Sequence, residues 1–321
     1  MSKIEIGGRP IERVGHVVNK YSTKAKQMVH TRDMIVDGLP YLEHYIINTS
    51  ADPEDTVRQI HYNARSNDAL FSYGGESTNS VIALSATSGP LIDIAPPLFF
   101  LPGGNKNDLS HELHIEDVEK HPIAALFTSV LKEVRPIEFE IQPKRCAPIK
   151  RRVAVAYGGV GAGGEVCQAL ISNRDGSLAK MVGDNQFGRF MLDSMWTLQG
   201  LAKSRSFEII DHNNHDSVTR IAERMYINIS RMLGGIVLTS AMVDDLRAVR
   251  VEANRRSDYV AKITSLAIGL SEETIVDEIN DDFTLKSPAI LHIDAEPEQL
   301  AAGTRIRTKR SSKPIYVLGK R

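Results

Sequence analysis

Two glycine-centred turns carry the residue types best suited to chemistry: Tyr73-Gly74-Gly75-Glu76-Ser77-Thr78-Asn79 and Leu101-Pro102-Gly103-Gly104-Asn105-Lys106-Asn107-Asp108. Each follows a short apolar run and precedes a stretch of helical character. Glycine has no Cβ and tolerates positive φ, so such turns bring backbone N–H groups close to a phosphate. Two of them at neighbouring strand ends form one anion-binding crevice. The chemistry they point to is the binding of a phosphate-bearing ligand.

The elements that must position these turns alternate between strand and helix over the first 135 residues. Val14 to Asn19, Glu43 to Asn48, Ala69 to Tyr73 and Leu98 to Leu101 read as strands; Lys24 to Val36 and Thr78 to Ala86 read as helices. Another helix starts at Asp52, an N-cap followed by Pro53 and the acidic pair Glu54-Asp55. Such alternation implies a parallel sheet covered on both faces, with ligands beyond the carboxyl ends of its strands. After Pro136 the texture changes. Phe139 to Gln142, Val153 to Ala156, Phe207 to Ile210, Ile227 to Ile229, Leu246 to Val251, Ile290 to Ile293 and Thr304 to Thr308 read as strands of a mostly antiparallel region. Helical signals remain only around Phe190 to Lys203 and Asp258 to Leu270.

The chain has 321 residues, enough for about two domains, with 42% apolar and 25% charged residues. A net charge of −1 gives nucleic-acid binding no support. Two cysteines, Cys146 and Cys167, make no disulfide framework and favour a reducing, cytoplasmic setting. The N-terminus lacks the apolar segment of a signal peptide, and apolar runs such as Gly234 to Val243 are too short to span a bilayer, so membrane contact is expected to be peripheral.

From Val14 to Leu318 the residues resemble, in order, the diacylglycerol kinase and sphingosine kinase-like lipid kinase family. Asn19-Lys20-Tyr21-Ser22-Thr23 is similar to the Asn-Pro-x-Ser-Gly that ends the family's first strand, and Thr49 to the threonine ending its second. Gly74-Gly75-Glu76-Ser77-Thr78-Asn79 resembles Gly-Gly-Asp-Gly-Thr followed by Asn, and Pro102 to Asp108 resembles Pro-x-Gly-Thr-Gly-Asn-Asp. Ala156 to Gly161 matches a glycine-rich turn, Asp244-Asp245-Leu246-Arg247 a late acidic segment, and Ile293-Asp294-Ala295-Glu296 the final Ile-Asp-Gly-Glu. Order and spacing, rather than any one motif, are the specific part.

The resemblance implies a doubly wound α/β nucleotide-binding domain over 1–136, to which a final strand within 312–321 returns, and a β-sandwich-like domain over 137–311, with the active site between them. It implies ATP and Mg²⁺ at the glycine turns, with Asn19, Thr49, Gly74, Gly75, Glu76, Ser77, Thr78, Asn79, Gly104, Asn105 and Asn107 as binding residues. Glu296 takes the proton from a lipid hydroxyl, Glu76 assists through the metal, and a second metal site uses Asp245, Met242 and Leu246. The expected activity is transfer of the γ-phosphate of ATP to a diacylglycerol-like lipid alcohol, on a soluble or inner-face peripheral protein; a homodimer is left open. A non-catalytic nucleotide- or lipid-binding protein on the same fold and a NAD kinase are the alternatives.

The chain departs from the pattern at Lys20, Thr23, Glu76, Ser77, Asn105, Lys106 and Ala295. Ser77 stands where the family has glycine, so a positive φ there costs ~1 kcal/mol or more, and Ala295 replaces a glycine beside the proposed base. Other motifs carry less. Gly159 to Gly164 fits G-x-G-x-x-G but reads as a glycine-rich turn at the domain junction. His111-Glu112-Leu113-His114 is one residue short of zincin spacing and reads as a helix start, and Asp211 to Asp216 as a polar hairpin loop. The basic tail, with Arg305, Arg307, Lys309, Arg310, Lys313, Lys320 and Arg321, suits either anionic lipid headgroups or a charged, protected strand edge.

Overall fold

The computed structural model describes residues 3–20, 22, 24–94, 96–103, 108–115, 118, 120–143, 147–173, 176–182, 186–228, 231–232, 236–237, 247–251, 274–275 and 279–320. One layer is a six-stranded sheet. Its elements are β1 (Arg13–Val18), α1 (Ala25–Gly38), β2 (Glu43–Asn48), α2 (Pro53–Asn63), β3 (Asp68–Tyr73), α3 (Glu76–Ala86), β4 (Pro97–Phe100) and β5 (Val130–Val134). The helix α2 begins as read from sequence: the Asp52 carboxylate accepts from the Glu54 N–H at 3.0 Å, and Pro53 opens the first turn. Every residue of β1, β3 and β4 is buried, as parallel strands covered on both faces require.

The other part contains β6 (Ile137–Gln142), β7 (Lys150–Ala154), β8 (Tyr157–Gly161), α4 (Ala162–Asn173), α5 (Gln186–Lys203), β9 (Phe207–Asp211), β10 (Ser217–Ile221), β11 (Glu223–Ile227), β12 (Arg247–Val251), β13 (Asn280–Leu285), β14 (Ala289–Ile293), β15 (Glu296–Leu300) and β16 (Arg305–Arg310); β17 (Ile315–Gly319) then joins the first sheet. The first sheet has the order β2-β1-β3-β4-β17-β5, parallel except for β5. That edge strand pairs antiparallel with β17, Val134 lying opposite Ile315 and Val130 opposite Gly319.

The remaining strands form two antiparallel sheets. One has the order β12-β11-β8-β14-β15, extended beyond β12 by Thr274–Ile275; the other runs β10-β9-β13-β16-β6-β7. Phe139, Ile209, Phe283 and Ile306 from the second sheet and Tyr226, Leu291 and Ile293 from the first form one core between them. Arg224 of β11 crosses that core to Asp281 of β13 and to Asp211 at 3.3 Å. Burial opposes its charge, but Tyr226 and Asp281 outweigh burial and raise its pKa.

The glycine-rich run after Ala156 is a correction. It is no turn: Tyr157–Gly161 is a fully buried strand, and α4 starts at Ala162. Packing demands the glycines. A Cβ on Gly158 would meet the Phe139 ring at 2.8 Å, and one on Gly159 would meet Arg224 O at 2.5 Å. Gly163 donates its N–H to the buried Glu223 carboxylate at the start of α4, and a Cβ there would strike His292. The helix α4 was missed because this glycine start hides its period. Asp108–Glu112 is a short helix that ends at the His-Glu pair rather than starting there. The expected helix over Asp258 to Leu270 lies outside the described residues.

A buried hydrogen-bond chain fixes β1 between its neighbours. Leu39 O accepts from His44 Nε2 at 2.9 Å. This leaves His44 Nδ1 to accept from His16 Nε2 at 2.9 Å, and His16 Nδ1 to accept from the Tyr73 hydroxyl at 2.8 Å. The pattern requires a neutral His16, and burial, then the neighbouring His44, pushes its pKa down to about 3. The unfolded chain takes up a proton near pH 6.5 that the folded chain refuses. Stability from His16 is therefore complete above the unfolded value and lost as pH falls toward 3. Urea unfolding at pH 7.5, 6.0 and 5.0 should show an acid slope approaching ~1.4 kcal/mol per pH unit that His16→Gln lacks.

Candidate functional site: a cleft between the α/β sheet and the sandwich

Chain order decides what lies at the carboxyl edge of the first sheet. Asn19 follows β1, Thr49 follows β2, Gly74-Gly75 follow β3 and Leu101 to Gly103 follow β4. The sheet order 2-1-3-4 places its switch point between β1 and β3, where the chain leaves in opposite directions and opens a crevice. Asn19 Nδ2 reaches across this crevice to Thr78 Oγ1 at 3.2 Å. The two glycine turns touch: a Cβ on Gly103 would lie 2.5 Å from Gly74 O and 2.9 Å from Gly74 N. Ser22 Oγ donates to Gly103 O and holds the second turn against the end of β1.

The helix α3 leaves the first turn directly. Gly75 is its N-cap and makes no side-chain capping bond, and Glu76 is its first residue. A helix start of this kind presents backbone N–H groups and a positive dipole end toward an anion. Ser77 is helical and does not have positive φ. The strain expected at that position is therefore absent, because the chain has already entered α3.

A cavity of about 410 Å³ opens between this edge and the sandwich. Asn19, Thr49, Ser77 and Thr78 line one side, and Glu296 of β15 lines the other. Thr56, Val81 and Leu84 from the helices and Val153, Leu291 and Ile293 from the sandwich complete much of the wall. Gly74, Gly75 and Glu76 stand at the head of α3 without lining the cavity. Asn79 is buried beneath it and accepts from the Ser72 hydroxyl at 2.6 Å, so its side chain serves β3. Gly104, Asn105 and Asn107, like Met242, Asp245 and Leu246, lie outside the described residues. Among the described residues no group of three or more His, Cys, Asp or Glu is gathered.

Asp294 is the functional residue that sequence reasoning passed over. Its buried carboxylate accepts from the N–H groups of Val155, Ala156 and Tyr157 at 2.8, 2.9 and 3.0 Å, and from the Ser80 hydroxyl of α3. Burial pushes this carboxyl up against the pull of those four bonds. Asp294 and Ala295 form the two-residue turn between β14 and β15, with φ of 45° and 68°. Two positive φ values mark a type I′ turn, for which Asp-Gly is preferred. The signal in the sequence was Asp-Ala between apolar and acidic runs, with alanine concealing the turn. The turn sets Glu296 at the cavity, and the bond to Ser80 fixes it relative to α3.

No protein-family model matches the chain, and no curated protein sequence is similar to it. Solved structures are similar in fold. Two structures, provisionally assigned as a diacylglycerol kinase from Bacillus anthracis strain Sterne, superpose with TM-scores of 0.59 and 0.60 at 15% and 14% identity. The first covers 95% of this chain and 97% of its own; the second covers 94% and 96%. A third, described as a diacylglycerol kinase from the same strain, gives 0.58 at 14% identity over 95% and 97%. The fold is shared end to end. At this identity the reaction must be argued from the site.

Two substitutions test the geometry. Gly103→Ala places a methyl group against the Gly74 backbone and should cost ~1–3 kcal/mol by overpacking, read in urea unfolding. Ala295→Gly removes the left-handed penalty and should stabilise by ~1 kcal/mol in the same measurement.

Proposed function

We propose that this chain is a phosphotransferase that moves the γ-phosphate of ATP to the hydroxyl of a diacylglycerol-like lipid alcohol. The observation that carries the reading is one cavity with the neutral hydrogen-bonding groups of Asn19, Thr49 and Thr78 on one wall and the Glu296 carboxylate on the other. The shared fold and the descriptions of its solved neighbours support the same class.

Phosphoryl transfer asks the protein mainly for position and charge stabilisation. The uncapped start of α3 offers backbone N–H groups to phosphate oxygens. Asn19, Thr49 and Thr78 hold the nucleotide by uncharged hydrogen bonds. Glu296 accepts the hydroxyl proton as the alkoxide oxygen bonds to phosphorus and the bond to the leaving ADP oxygen breaks. Glu76 and the neighbouring Ser77 hydroxyl are the groups that would hold a Mg²⁺ ion, which would supply charge neutralisation for the transferring group. The apolar residues Val81, Leu84, Leu291 and Ile293 provide a surface for an acyl or alkyl chain. Among the described residues no helix is long and apolar enough to cross a membrane, so the proposed protein meets its lipid at a membrane face or as a dispersed amphiphile.

The test is transfer from γ-labelled ATP to a lipid extract, with wild type beside Glu296→Gln. Removing the base should lower kcat by ~10²–10⁴-fold with little change in nucleotide affinity. Equal turnover in the two proteins removes Glu296 from the mechanism. Nucleotide binding without transfer to any lipid alcohol favours a non-catalytic binding protein.

A further inference from the structure

Arg152 is the cationic residue among the described lining of the cleft, and the transfer described above does not use it. It lies on β7 opposite Phe139 and lines both the main cavity and a smaller one beside it, bounded by Leu84, Thr87 and Ser88 near the end of α3. Its side chain is 23% exposed, and its Nη1 is buried with no hydrogen-bond partner. Its ion-pair partner Glu298 stands 3.9 Å from Nε, beyond hydrogen-bond reach. Glu298 also faces Lys150 Nζ at 3.5 Å, so one carboxylate answers two cations. A guanidinium presents a planar fork of donors suited to a carboxylate or phosphate, and leaving a buried donor of this kind unmet is unfavourable.

Position separates this cation from the phosphate-transfer end. Thr78 lies at the glycine-turn end of α3 and Leu84 six residues further, ~9 Å along the helix axis. Glu296 and Glu298 are two residues apart on β15 and both line the cavity, ~7 Å from one another along the strand. A hydroxyl held at Glu296 therefore shares one cavity with the guanidinium of Arg152, whose Nη1 has no hydrogen-bond partner. Between and around them are Val153, Leu291 and Pro297.

We infer that the acceptor is an anionic amphiphile, whose phosphate or carboxylate group is held by Arg152 while its hydroxyl meets Glu296. This rests on the phosphotransferase reading and narrows it: a neutral glyceride leaves the buried Arg152 Nη1 donor without a hydrogen bond, and an anionic lipid alcohol supplies the acceptor.

The experiment compares three water-dispersed acceptors: dihexanoyl-phosphatidylglycerol, 3-hydroxydodecanoate and neutral dihexanoylglycerol. Wild type, Arg152→Gln, Arg152→Lys and Glu298→Gln are assayed for kcat and KM. Expected is at least a tenfold preference in kcat/KM for an anionic over the neutral acceptor, collapsing toward unity in Arg152→Gln through KM. Arg152→Lys keeps the charge and should retain part of the preference, and Glu298→Gln should enlarge it by removing the competing carboxylate. The better of the two anionic acceptors identifies phosphate or carboxylate as the group bound. Transfer with a preference that Arg152→Gln leaves unaltered overturns the inference and leaves the kinase reading intact. If no acceptor is phosphorylated the kinase reading falls, and calorimetric titration decides the anion site: binding of dihexanoyl-phosphatidylglycerol lost in Arg152→Gln and kept in Arg152→Lys upholds it, and equal binding or none sinks it.

Discussion

The Asp294 carboxylate is the interaction on which the rest of this structure depends. It gathers three consecutive backbone N–H groups from the β7–β8 corner and the Ser80 hydroxyl from α3. Removing such an acceptor strands buried donors at ~1–3 kcal/mol each. Four bonds on one side chain therefore tie the α/β sheet, the sandwich corner and the β14–β15 turn into a single arrangement. The turn accepts an alanine at φ 68° because that arrangement over-determines its path.

The helix α3 is the shared beam of the cleft. Its start abuts the two glycine turns, its second turn carries Ser80, and its later turns present Val81 and Leu84 to the sandwich. The glycine turns, the Glu296 turn and the apolar wall of the cavity are thus indexed to one rigid element rather than to separate loops. The buried His16 chain keeps β1 and its neighbours aligned beneath that element, and the Arg224–Asp281 crossing does the same for the sandwich. Both use polar groups in a core, the first between strands of one sheet and a helix end, the second between the two sheets of the sandwich.

Much of the architecture was legible because local signals agreed with the fold. Asp52-Pro53 with its acidic first turn starts a helix wherever it occurs, and the apolar runs before each glycine pair are central parallel strands. Asn19, Thr49, Thr78 and Glu296 were legible as candidates, and they meet in one cavity. Legibility failed where glycine serves packing instead of turning. Gly158 and Gly159 occupy a strand because Phe139 and the Arg224 backbone leave no space for a Cβ, and those neighbours are far away in sequence. It failed again at Asp294, whose partners lie more than 130 and more than 200 residues upstream.

The sequence by itself determined the alternation of strands and helices, the glycine turns at the strand ends and the identity of the groups available for phosphate and proton chemistry. Those properties follow from backbone conformation and side-chain type, which act over a few residues. Only the tertiary structure decided that the two turns touch, that Glu296 faces Thr78 across a cavity, that Ser77 is free of strain and that Arg152 has a buried donor unmet. Each of these depends on distances between segments far apart in the chain, and such distances are set by packing and long-range hydrogen bonds rather than by local composition.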